Sequence, residues 1–237
     1  MAQKSKIHEN ITKLESESLR EARTQVYERL ARLCNAFAAP ARLKIVSVLS
    51  HAPRNVEDLS QLIGESLANT SQHLQKLTAA GVVTCQRQGV SRIYRVSSPF
   101  VIHFLERVQE MGHAILDDLG RLEGVLNSVD LRALIPAEEV LTLLAKRQAT
   151  LLDVRDGVEF VAGAVRGAQH HASTERLTLT ATRRLGLRKN TPVFVYCRGR
   201  YCSLASEVVI ELRAQGFQAY RLAESPAELM RMQLKKE

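Results

Sequence analysis

The sequence predicts two successive domains: a mainly helical domain that carries a β-hairpin, and then an α/β domain with a central parallel sheet. Apolar residues recur at helical spacing through the first half of the chain, interrupted by one hairpin pattern. In the second half, the β-type run Val193–Tyr196 leads within a few residues into a helical pattern that starts at Leu204. At 237 residues the chain is long enough for two domains that each bury a core.

Composition places the chain among ordinary globular proteins. Hydrophobic residues make up 45% and charged residues 24% of the sequence. No run approaches the ~20 apolar residues of a membrane span, and residues 1–13 are too polar for a secretory signal. The 4 cysteines are scattered, which does not suit a disulfide framework. We therefore expect a cytoplasmic protein with no membrane partner and no cofactor.

Basic residues are concentrated in two stretches that contain no acid, in a chain whose formal net charge is +8. Residues 66–105 favour a polyanionic partner, namely double-stranded DNA. Residues 176–206 surround Cys197, where their charge would draw a small anionic sulfur donor such as thiosulfate or a persulfide. The alternative for either stretch is a solvated basic face.

Helices are predicted to fill the chain up to about residue 81. Apolar spacing predicts helices over roughly 12–36 and 67–80, with two shorter helices between them. Caps and breakers mark the helix ends, namely Pro40, Asn55, Gly64, Ser66 and Gly81. Two short helices joined by a turn at Gly64 are typical of a helix-turn-helix.

A basic hairpin follows the helix-turn-helix and completes a winged-helix arrangement. Residues 82–87 and 91–96 are predicted to be its two strands, with Gln88-Gly89 at the turn. This pattern resembles the ArsR-type winged-helix repressors over about residues 30–125. The resemblance also rests on three sequence motifs, namely Gln72-His73-Leu74, the run Ala-Ala-Gly-Val-Val at 79–83, and the Arg-x-Gly and Ile-Tyr pairs of the wing.

Polar side chains at the front of the fourth helix are the candidates for contact with DNA. Amide and hydroxyl groups there suit base edges, and the Gln72 amide suits adenine. The candidates for base contact are Asn69, Thr70, Ser71, Gln72 and His73. We expect either Thr70 or His73 to pack locally instead, and Tyr94 to pack under the wing. The candidates for phosphate contact are Lys76, Arg87 and Arg92.

A long helix is predicted after the wing, from Ser98-Pro99 to about Leu126. The first and last helices then carry more apolar surface than one small domain covers. The ArsR resemblance implies that two chains pair through these helices to form a homodimer. Such a dimer would contact two half-sites about one helical turn, roughly 34 Å, apart.

The most informative segment of the second half is 191–205. Cys197 follows the apolar strand, two arginines flank a glycine, and Cys202-Ser203 open the next helix. Loop amides, the helix dipole and the arginines all favour a thiolate, so we expect a lowered pKa for Cys197. The alternative is a buried cysteine at a strand end, but Arg198 and Arg200 do not belong in a core.

This segment resembles the active loop of rhodaneses, a family of sulfurtransferases, and the resemblance covers about residues 130–235. Upstream, the run Leu-Leu-Asp-Val-Arg at 151–155 resembles the family's strand with its Asp-x-Arg ending, and Glu159-Phe160 follow at the usual place. The chain departs from the family pattern at 163–168 and again near 224–229.

The rhodanese resemblance implies a persulfide on Cys197 that loop amides, Arg198 and Arg200 stabilise. Cys202 is placed to resolve that persulfide as a disulfide, with release of sulfide; the alternative is that it only packs at the start of the helix. The candidate catalytic residues are Cys197, Arg198, Gly199, Arg200, Tyr201, Cys202, Asp153 and Arg155.

No metal site is predicted. The arsenic and cadmium site of ArsR-type proteins needs cysteines at the start of the third helix, where residues 55–59 hold none. Their zinc site uses carboxylates and histidines along the last helix, and the spacing of the candidates does not fit, namely His103, His113, Asp117 and Asp118. The spacing of Cys197 and Cys202 is also wider than in zinc knuckles.

The sequence therefore predicts a DNA-binding regulator, and more narrowly a repressor. We expect a winged-helix domain over 1–126, a linker over 127–135 and a rhodanese-like domain over 136–237. The rhodanese-like domain is expected to accept sulfane sulfur on Cys197. Two alternatives stay open: a sulfurtransferase that the winged helix only dimerises, and a regulator whose rhodanese domain is catalytically inactive. A cysteine phosphatase or arsenate reductase is disfavoured, because Ser203 stands where such enzymes need an arginine.

Overall fold

Two compact units divide the chain, Met1–Leu105 and Glu106–Glu237. The structure is a computed structural model that describes the backbone of residues 2–127 and 131–235, and side chains from residue 17 onward within those ranges except at position 127. No helix in these ranges is both long enough and apolar enough to cross a bilayer.

The first unit opens with helices whose ends follow local capping chemistry. The helices are α1 (Ala2–Phe37), α2 (Pro40–Leu49), α3 (Val56–Ile63) and α4 (Leu67–Ala79). Asn55 accepts a hydrogen bond from the Asp58 amide at 2.7 Å, and Ser66 accepts one from the Asn69 amide at 3.2 Å. Gly64 ends α3 in the left-handed region at φ 70°. The predicted caps are confirmed, although α1 begins about ten residues earlier than apolar spacing suggested.

A two-stranded hairpin forms the wing. Strands β1 (Val83–Gln88) and β2 (Ser91–Val96) pair antiparallel around Gly89, whose φ is 61°. Tyr94 lies under the hairpin against the helical core, as predicted. That core is formed by apolar side chains of α2, α3 and α4, including the fully buried Ile45, Val46, Leu59, Leu74 and Leu77.

The prediction of one long helix after the wing is wrong, because the chain turns at residues 116–118. It forms α5 (Pro99–Ile115) and then α6 (Leu119–Asn127). Leu119 folds back onto α5, and its Cδ2 lies 3.1 Å from the point where a Cβ on Gly112 would stand. The turn therefore depends on a close approach at a glycine, which apolar periodicity does not reveal.

A four-stranded parallel sheet forms the centre of the second unit. Its strands are β3 (Thr150–Asp153), β4 (Gln169–His170), β5 (Val193–Tyr196) and β6 (Ala219–Arg221), in the order β4-β3-β5-β6. Helices connect and cover them, namely α7 (Ala137–Ala145), α8 (Gly157–Ala162), α9 (Leu179–Arg184), α10 (Leu204–Ala214) and α11 (Pro226–Leu234). The predicted α/β domain with a parallel sheet is confirmed.

Each face of the sheet has its own apolar core. On one face, Leu152, Val193 and Val195 pack with residues of α10. On the other face, Leu151 and Phe194 pack with residues of α7 and α11. Because strands of a parallel sheet are covered on both sides, β5 is buried along its whole length, and its carboxyl end delivers Cys197 to the edge of the sheet.

The predicted linker lies only partly within the described residues, since 128–130 fall outside them. Leu131 is buried in the core of the second unit, and the Ala133 amide donates a hydrogen bond to the Arg221 carbonyl at 3.0 Å. Residues 131–133 thus extend the sheet edge beside β6. The limits 1–126, 127–135 and 136–237 of the two domains and their linker stay a prediction.

Candidate functional site

The cysteine loop, defined as residues 197–203, joins the carboxyl end of β5 to α10. Gly199 in this loop has φ 110°, a region that residues with a Cβ rarely adopt. A Cβ on Gly199 would lie 3.3 Å from the Ser225 Cβ. Only glycine therefore lets the loop both turn and approach the chain segment before α11 so closely.

Arg221 lies beneath the cysteine loop at the end of β6. Its Nη2 donates hydrogen bonds to the carbonyl oxygens of Gly199 and Cys202, both at 3.0 Å. The side chain is 1% exposed, and its Nε and Nη1 have no hydrogen-bond partner among the described residues. A buried cation with two unpaired nitrogen atoms thus supports the loop from below.

The two cysteines of the loop form a contacting pair. Cys197 is fully buried, and its Sγ donates to the Cys202 carbonyl at 3.4 Å. Its thiol also interacts with the Cys202 sulfur, which accepts hydrogen bonds from the backbone amides of Arg198 and Leu204. Two amides therefore face the Cys202 sulfur, and one amide, that of Ala205, faces the Cys197 sulfur.

The expected lowering of the pKa of Cys197 is wrong for this dithiol. Burial raises the pKa of Cys197 well above its ordinary value, and the neighbouring Cys202 adds to the rise; the Ala205 amide and Arg221 oppose it. The hydrogen bond from Cys197 lowers the pKa of Cys202 to about 6, against the cost of burial and with help from the Arg198 and Leu204 amides and the Arg198 charge. Within this pair, the pKa of Cys197 is therefore the higher and the pKa of Cys202 the lower.

Arg198 is committed to an ion pair rather than pointing freely at a bound sulfur. Its Nε and Nη2 each donate to a Glu159 carboxylate oxygen at 2.8 Å, and Nη2 lies 3.7 Å from Asp156. Burial lowers the pKa of Arg198, but the hydrogen bonds and charge of Glu159 outweigh that effect and raise it. This fork fastens the loop to α8, and the role of Arg198 in stabilising a persulfide stays a prediction.

Asp153 and Arg155 belong to a buried network below the loop. Arg155 donates to Asp153 Oδ2 at 2.6 Å and to the Gly163 carbonyl at 2.7 Å. The Tyr196 hydroxyl donates to the same carboxylate at 2.7 Å and accepts from the Val165 amide at 3.1 Å. These contacts hold β3, β5 and the segment after α8 together. Tyr196, which makes two of them, is the residue directly before Cys197.

The remaining predicted loop residues face outward. Arg200 is exposed, and Tyr201 is 36% exposed. The Tyr201 ring stacks on His113 at the end of α5, with ring centroids 6.1 Å apart and planes at 3°. His113 in turn has its Nε2 2.7 Å from Glu123 Oε2 in α6. Tyr201 therefore links the cysteine loop to the end of α5.

The structure brings most of the predicted DNA-contacting residues to the surface of α4 and the wing. Asn69, Gln72 and Lys76 are exposed, and Ser71 and His73 are partly exposed. Arg87 and Arg92 stand opposite each other in the hairpin and are exposed. Thr70 is the exception: it is fully buried, and its hydroxyl donates to the Ser66 carbonyl at 2.9 Å, so it stabilises the helix start and does not reach the surface.

Histidines of the second unit engage in ordinary packing and hydrogen bonding. The His170 ring stacks on Phe160 and contacts the Arg155 carbonyl at 2.9 Å, and His171 contacts the Glu175 carbonyl at 3.1 Å. Within 2–127 and 131–235, no three His, Cys, Asp or Glu side chains come together as a metal site would require.

Family comparisons agree with both halves of this description. A helix-turn-helix domain model matches residues 37–86, and a rhodanese-like domain model matches residues 136–226. Over 212 residues the chain is 31% identical to the HTH-type transcriptional regulator Rv0324 of Mycobacterium tuberculosis. The aligned region covers 88% of this chain and 90% of Rv0324.

The chain belongs to the HTH-type transcriptional regulators. This regulator combines an ArsR-type winged helix with a C-terminal rhodanese-like domain. It is also 35% identical over 81 residues to the transcriptional repressor SmtB of Mycobacterium tuberculosis. That aligned region covers 34% of this chain and 60% of SmtB. A solved homodimeric winged helix-turn-helix domain from Mycobacterium bovis is 29% identical, with a TM-score of 0.38, and covers 40% of this chain and 87% of that one.

Three residues of the site escaped the sequence analysis in their present roles. Glu159 was seen only as part of the rhodanese pattern, although it holds Arg198. Ser225 packs against Gly199, and its position depends on the tertiary fold. Arg221 carried a readable signal, because an arginine among the mostly apolar residues 219–223 is unusual for a buried strand.

Proposed function

We propose that this regulator is a dimeric repressor that binds operator DNA through α4 and the wing, and that its rhodanese-like domain accepts sulfane sulfur in the cysteine loop to control that binding. One observation carries the sulfur part: two contacting cysteines follow β5, with a buried guanidinium near Cys197 and two backbone amides that donate to Cys202. A cysteine that only fills a core needs neither feature.

Charge and exposure support the DNA-binding part. The exposed amides of Asn69 and Gln72 lie on the first turns of α4, where a recognition helix presents side chains to base edges. Exposed Lys76, Arg87 and Arg92 supply positive charge for phosphates on either side. No acid interrupts this surface, since residues 66–105 contain none.

Exposed apolar side chains support pairing of two copies. Helix α1 exposes several of them, namely Leu19, Val26, Tyr27, Leu30 and Leu33. Helix α5 adds Phe100, Phe104, Met111 and Ile115. Apolar faces of this length are costly in water, and a two-fold partner that presents the same helices would cover them.

Helix α5 supplies a covalent path for coupling. It begins at Pro99, directly after the wing, and ends with His113 stacked on Tyr201 of the cysteine loop. The Ser206 hydroxyl on α10 also donates to the Leu126 carbonyl of α6 at 3.3 Å. A change in the cysteine loop therefore acts on the end of a helix whose start belongs to the DNA-binding unit.

The test uses reduced full-length protein, the DNA directly upstream of its own gene, and sodium tetrasulfide. We expect the protein to retard this DNA as a complex of two chains, and tetrasulfide to modify the cysteine loop, as read by peptide mass. Failure to retard the DNA would remove the repressor role. Retardation without any sulfur chemistry at Cys197 or Cys202 would reduce the rhodanese-like domain to an inert appendage.

A further inference from the structure

Arg221 is a buried cation that no carboxylate of the described residues neutralises. Its side chain is 1% exposed, and its Nη2 donates to two neutral carbonyl oxygens, those of Gly199 and Cys202. Its Nε and Nη1 have no hydrogen-bond partner within the described part of the chain. The buried Arg155, by contrast, is ion-paired with Asp153. A buried charge is costly unless an opposite charge lies close to it, so Arg221 is suited to hold an anion.

The guanidinium of Arg221 and the sulfur of Cys197 meet at a single backbone oxygen. Arg221 Nη2 lies 3.0 Å from the Cys202 carbonyl oxygen, and Cys197 Sγ lies 3.4 Å from the same atom. In the thiol form, the sulfur donates its proton to that oxygen. An ionised sulfur has no proton to donate there, whereas Arg221 remains a donor and a positive charge beside it. Burial raises the pKa of Cys197, and the charge of Arg221 is among the effects that oppose this rise.

The two arginines of the cysteine loop itself are placed differently. Arg198 donates twice to Glu159 at 2.8 Å, so a buried carboxylate offsets its charge. Arg200 is exposed, and water screens a charge there far more than the interior does. Arg221 therefore supplies the positive charge that is both buried and not offset by a carboxylate. It stands at the end of β6, outside the loop motif, so the sequence resemblance does not include it.

We propose that Arg221 is the residue that holds the sulfur of Cys197 in its anionic form, first as the thiolate and then as the persulfide. This inference rests on the proposed function and names a further residue for it. Arg221 acts through its charge and through the carbonyl that it shares with Cys197, so it is a positioning residue. It takes the larger share of the part that the sequence assigned to Arg198 and Arg200.

The charge of Arg221 is present throughout the loading of sulfur onto Cys197. Cys197 Sγ attacks a terminal sulfur of tetrasulfide, a bond forms between these two atoms, and the adjacent sulfur–sulfur bond of the donor breaks. The trisulfide leaves with the electron pair of that bond and with the proton of Cys197. The product is a Cys197 persulfide anion, whose negative charge Arg221 compensates. Sulfane sulfur is transferred without net oxidation or reduction, so no other reactant is needed.

The experiment compares variants of full-length protein that differ in charge at one position. Arg221→Gln and Arg221→Lys both keep a hydrogen-bond donor, and only the lysine keeps the charge. Arg184→Ala, which removes an exposed arginine at the end of α9, is the matched control. Each is made in a parent protein that carries Cys202→Ser, so that a persulfide on Cys197 persists. The donor is sodium tetrasulfide without oxygen, and trypsin isolates Cys197 in the peptide 190–198.

The charge at position 221 should decide the rate of loading. The parent, Arg184→Ala and Arg221→Lys should gain one sulfur, about 32 Da, on the peptide 190–198 at similar rates. Arg221→Gln should gain it roughly tenfold or more slowly, because a preorganised positive charge near the reacting anion is lost.

A second readout separates the charge of Arg221 from its effect on the shape of the loop. Iodoacetate is an anion and iodoacetamide is neutral, and both alkylate the same thiolate. In Arg221→Gln, alkylation of Cys197 by iodoacetate should slow more than alkylation by iodoacetamide, because a positive charge attracts only the anionic reagent. A change of shape alone slows both reagents alike.

Two results would overturn the role of Arg221. One is an Arg221→Gln variant that loads Cys197 as fast as the parent; sulfur is then accepted, and only this inference fails. The other is an Arg221→Lys variant as slow as Arg221→Gln, with both alkylating reagents slowed alike, since Arg221 would then only support the shape of the loop.

If neither the parent nor wild type gains sulfur, the sulfur part of the proposed function fails instead. The ratio of the iodoacetate rate to the iodoacetamide rate at Cys197 of the parent then still tests the charge of Arg221, and it needs no folded variant at that position. A ratio no higher than that of 2-mercaptoethanol would contradict the inference.

Discussion

At the scale of single residues, the position of one proton decides the chemistry of the cysteine loop. Sequence reasoning placed the thiolate on Cys197, because a strand end, a helix dipole and two arginines all point to that loop. The sequence located the loop between β5 and α10, but it could not show which sulfur each backbone amide faces. That choice depends on the depth of burial of Cys197 and on the fold of the loop around Gly199, both of which are tertiary.

The pH dependence of alkylation should follow the Cys202 thiolate. The groups that face it are the Cys197 thiol, the Arg198 charge with its partner Glu159, and Arg221 below. Because the pKa of Cys202 is lowered to about 6, its iodoacetamide labelling should stay fast at neutral pH and fall as pH drops through that value. Peptide mass after short labelling measures this profile, with a small thiol of pKa about 8.5 as the reference. A profile for Cys202 that matches the small thiol would contradict the assignment.

Arg221 should matter for both the shape and the reactivity of the cysteine loop. Arg221→Met removes the donor to the carbonyls of Gly199 and Cys202. Each hydrogen bond from a charged donor contributes about 1.5–3 kcal/mol, so the free energy of unfolding should fall by an amount in that range or above it. Urea denaturation measures the loss. The control is Arg221→Lys, which keeps the charge and one donor and should lose less.

At the scale of elements, features that depend on local sequence were predictable, and features that depend on tertiary contacts were not. The caps of α3 and α4 and the turn of the wing were predictable, since Asn55, Ser66 and Gly89 act on backbone groups within a few residues of themselves. The break between α5 and α6 was not predictable, because it depends on Leu119 packing against Gly112. The burial of Thr70 was only half predictable, since its position on α4 allowed either inward or outward orientation.

The ion pair between the cysteine loop and α8 should be the strongest single contact of the loop. Glu159 is fully buried, and Arg198→Ala would leave its carboxylate without its main partner. Breaking a buried pair on one side typically costs about 3–5 kcal/mol. We expect a loss of that size in urea denaturation. The matched control is Arg200→Ala, two residues along the same loop, where the exposed side chain should change stability by less than about 0.5 kcal/mol. Equal effects of the two substitutions would show that Arg198 does not fasten the loop.

At the scale of the whole molecule, the order and the classes of the domains were predictable. The contact between the end of α5 and the cysteine loop was not predictable. Periodicity, caps and the basic hairpin identified the winged helix, and the run from Thr191 to Ala205 identified the rhodanese-like domain. Nothing in the sequence shows that Tyr201 stacks on His113, because that contact joins residues almost ninety positions apart.

DNA binding should depend steeply on salt. Lys76, Arg87 and Arg92 are the proposed phosphate contacts, and each phosphate contact should contribute about 0.9 to the slope of log affinity against log salt. Mobility-shift titrations over a range of salt concentrations measure the slope. Arg92→Ala should reduce it, whereas Arg200→Ala, which removes a cation from the cysteine loop, should leave it unchanged. A flat response in wild type would exclude binding dominated by phosphate contacts.

The most direct measurement is the affinity of full-length protein for its upstream DNA, before and after tetrasulfide treatment, in wild type, Cys197→Ser and Cys85→Ser. We expect wild type and Cys85→Ser to lose affinity by about 5- to 150-fold, the range of typical coupling free energies. Cys197→Ser, which cannot form the internal disulfide, should bind equally well in both states. Equal affinities for treated and untreated wild type, with the disulfide formed, would contradict control of DNA binding by sulfur in the cysteine loop.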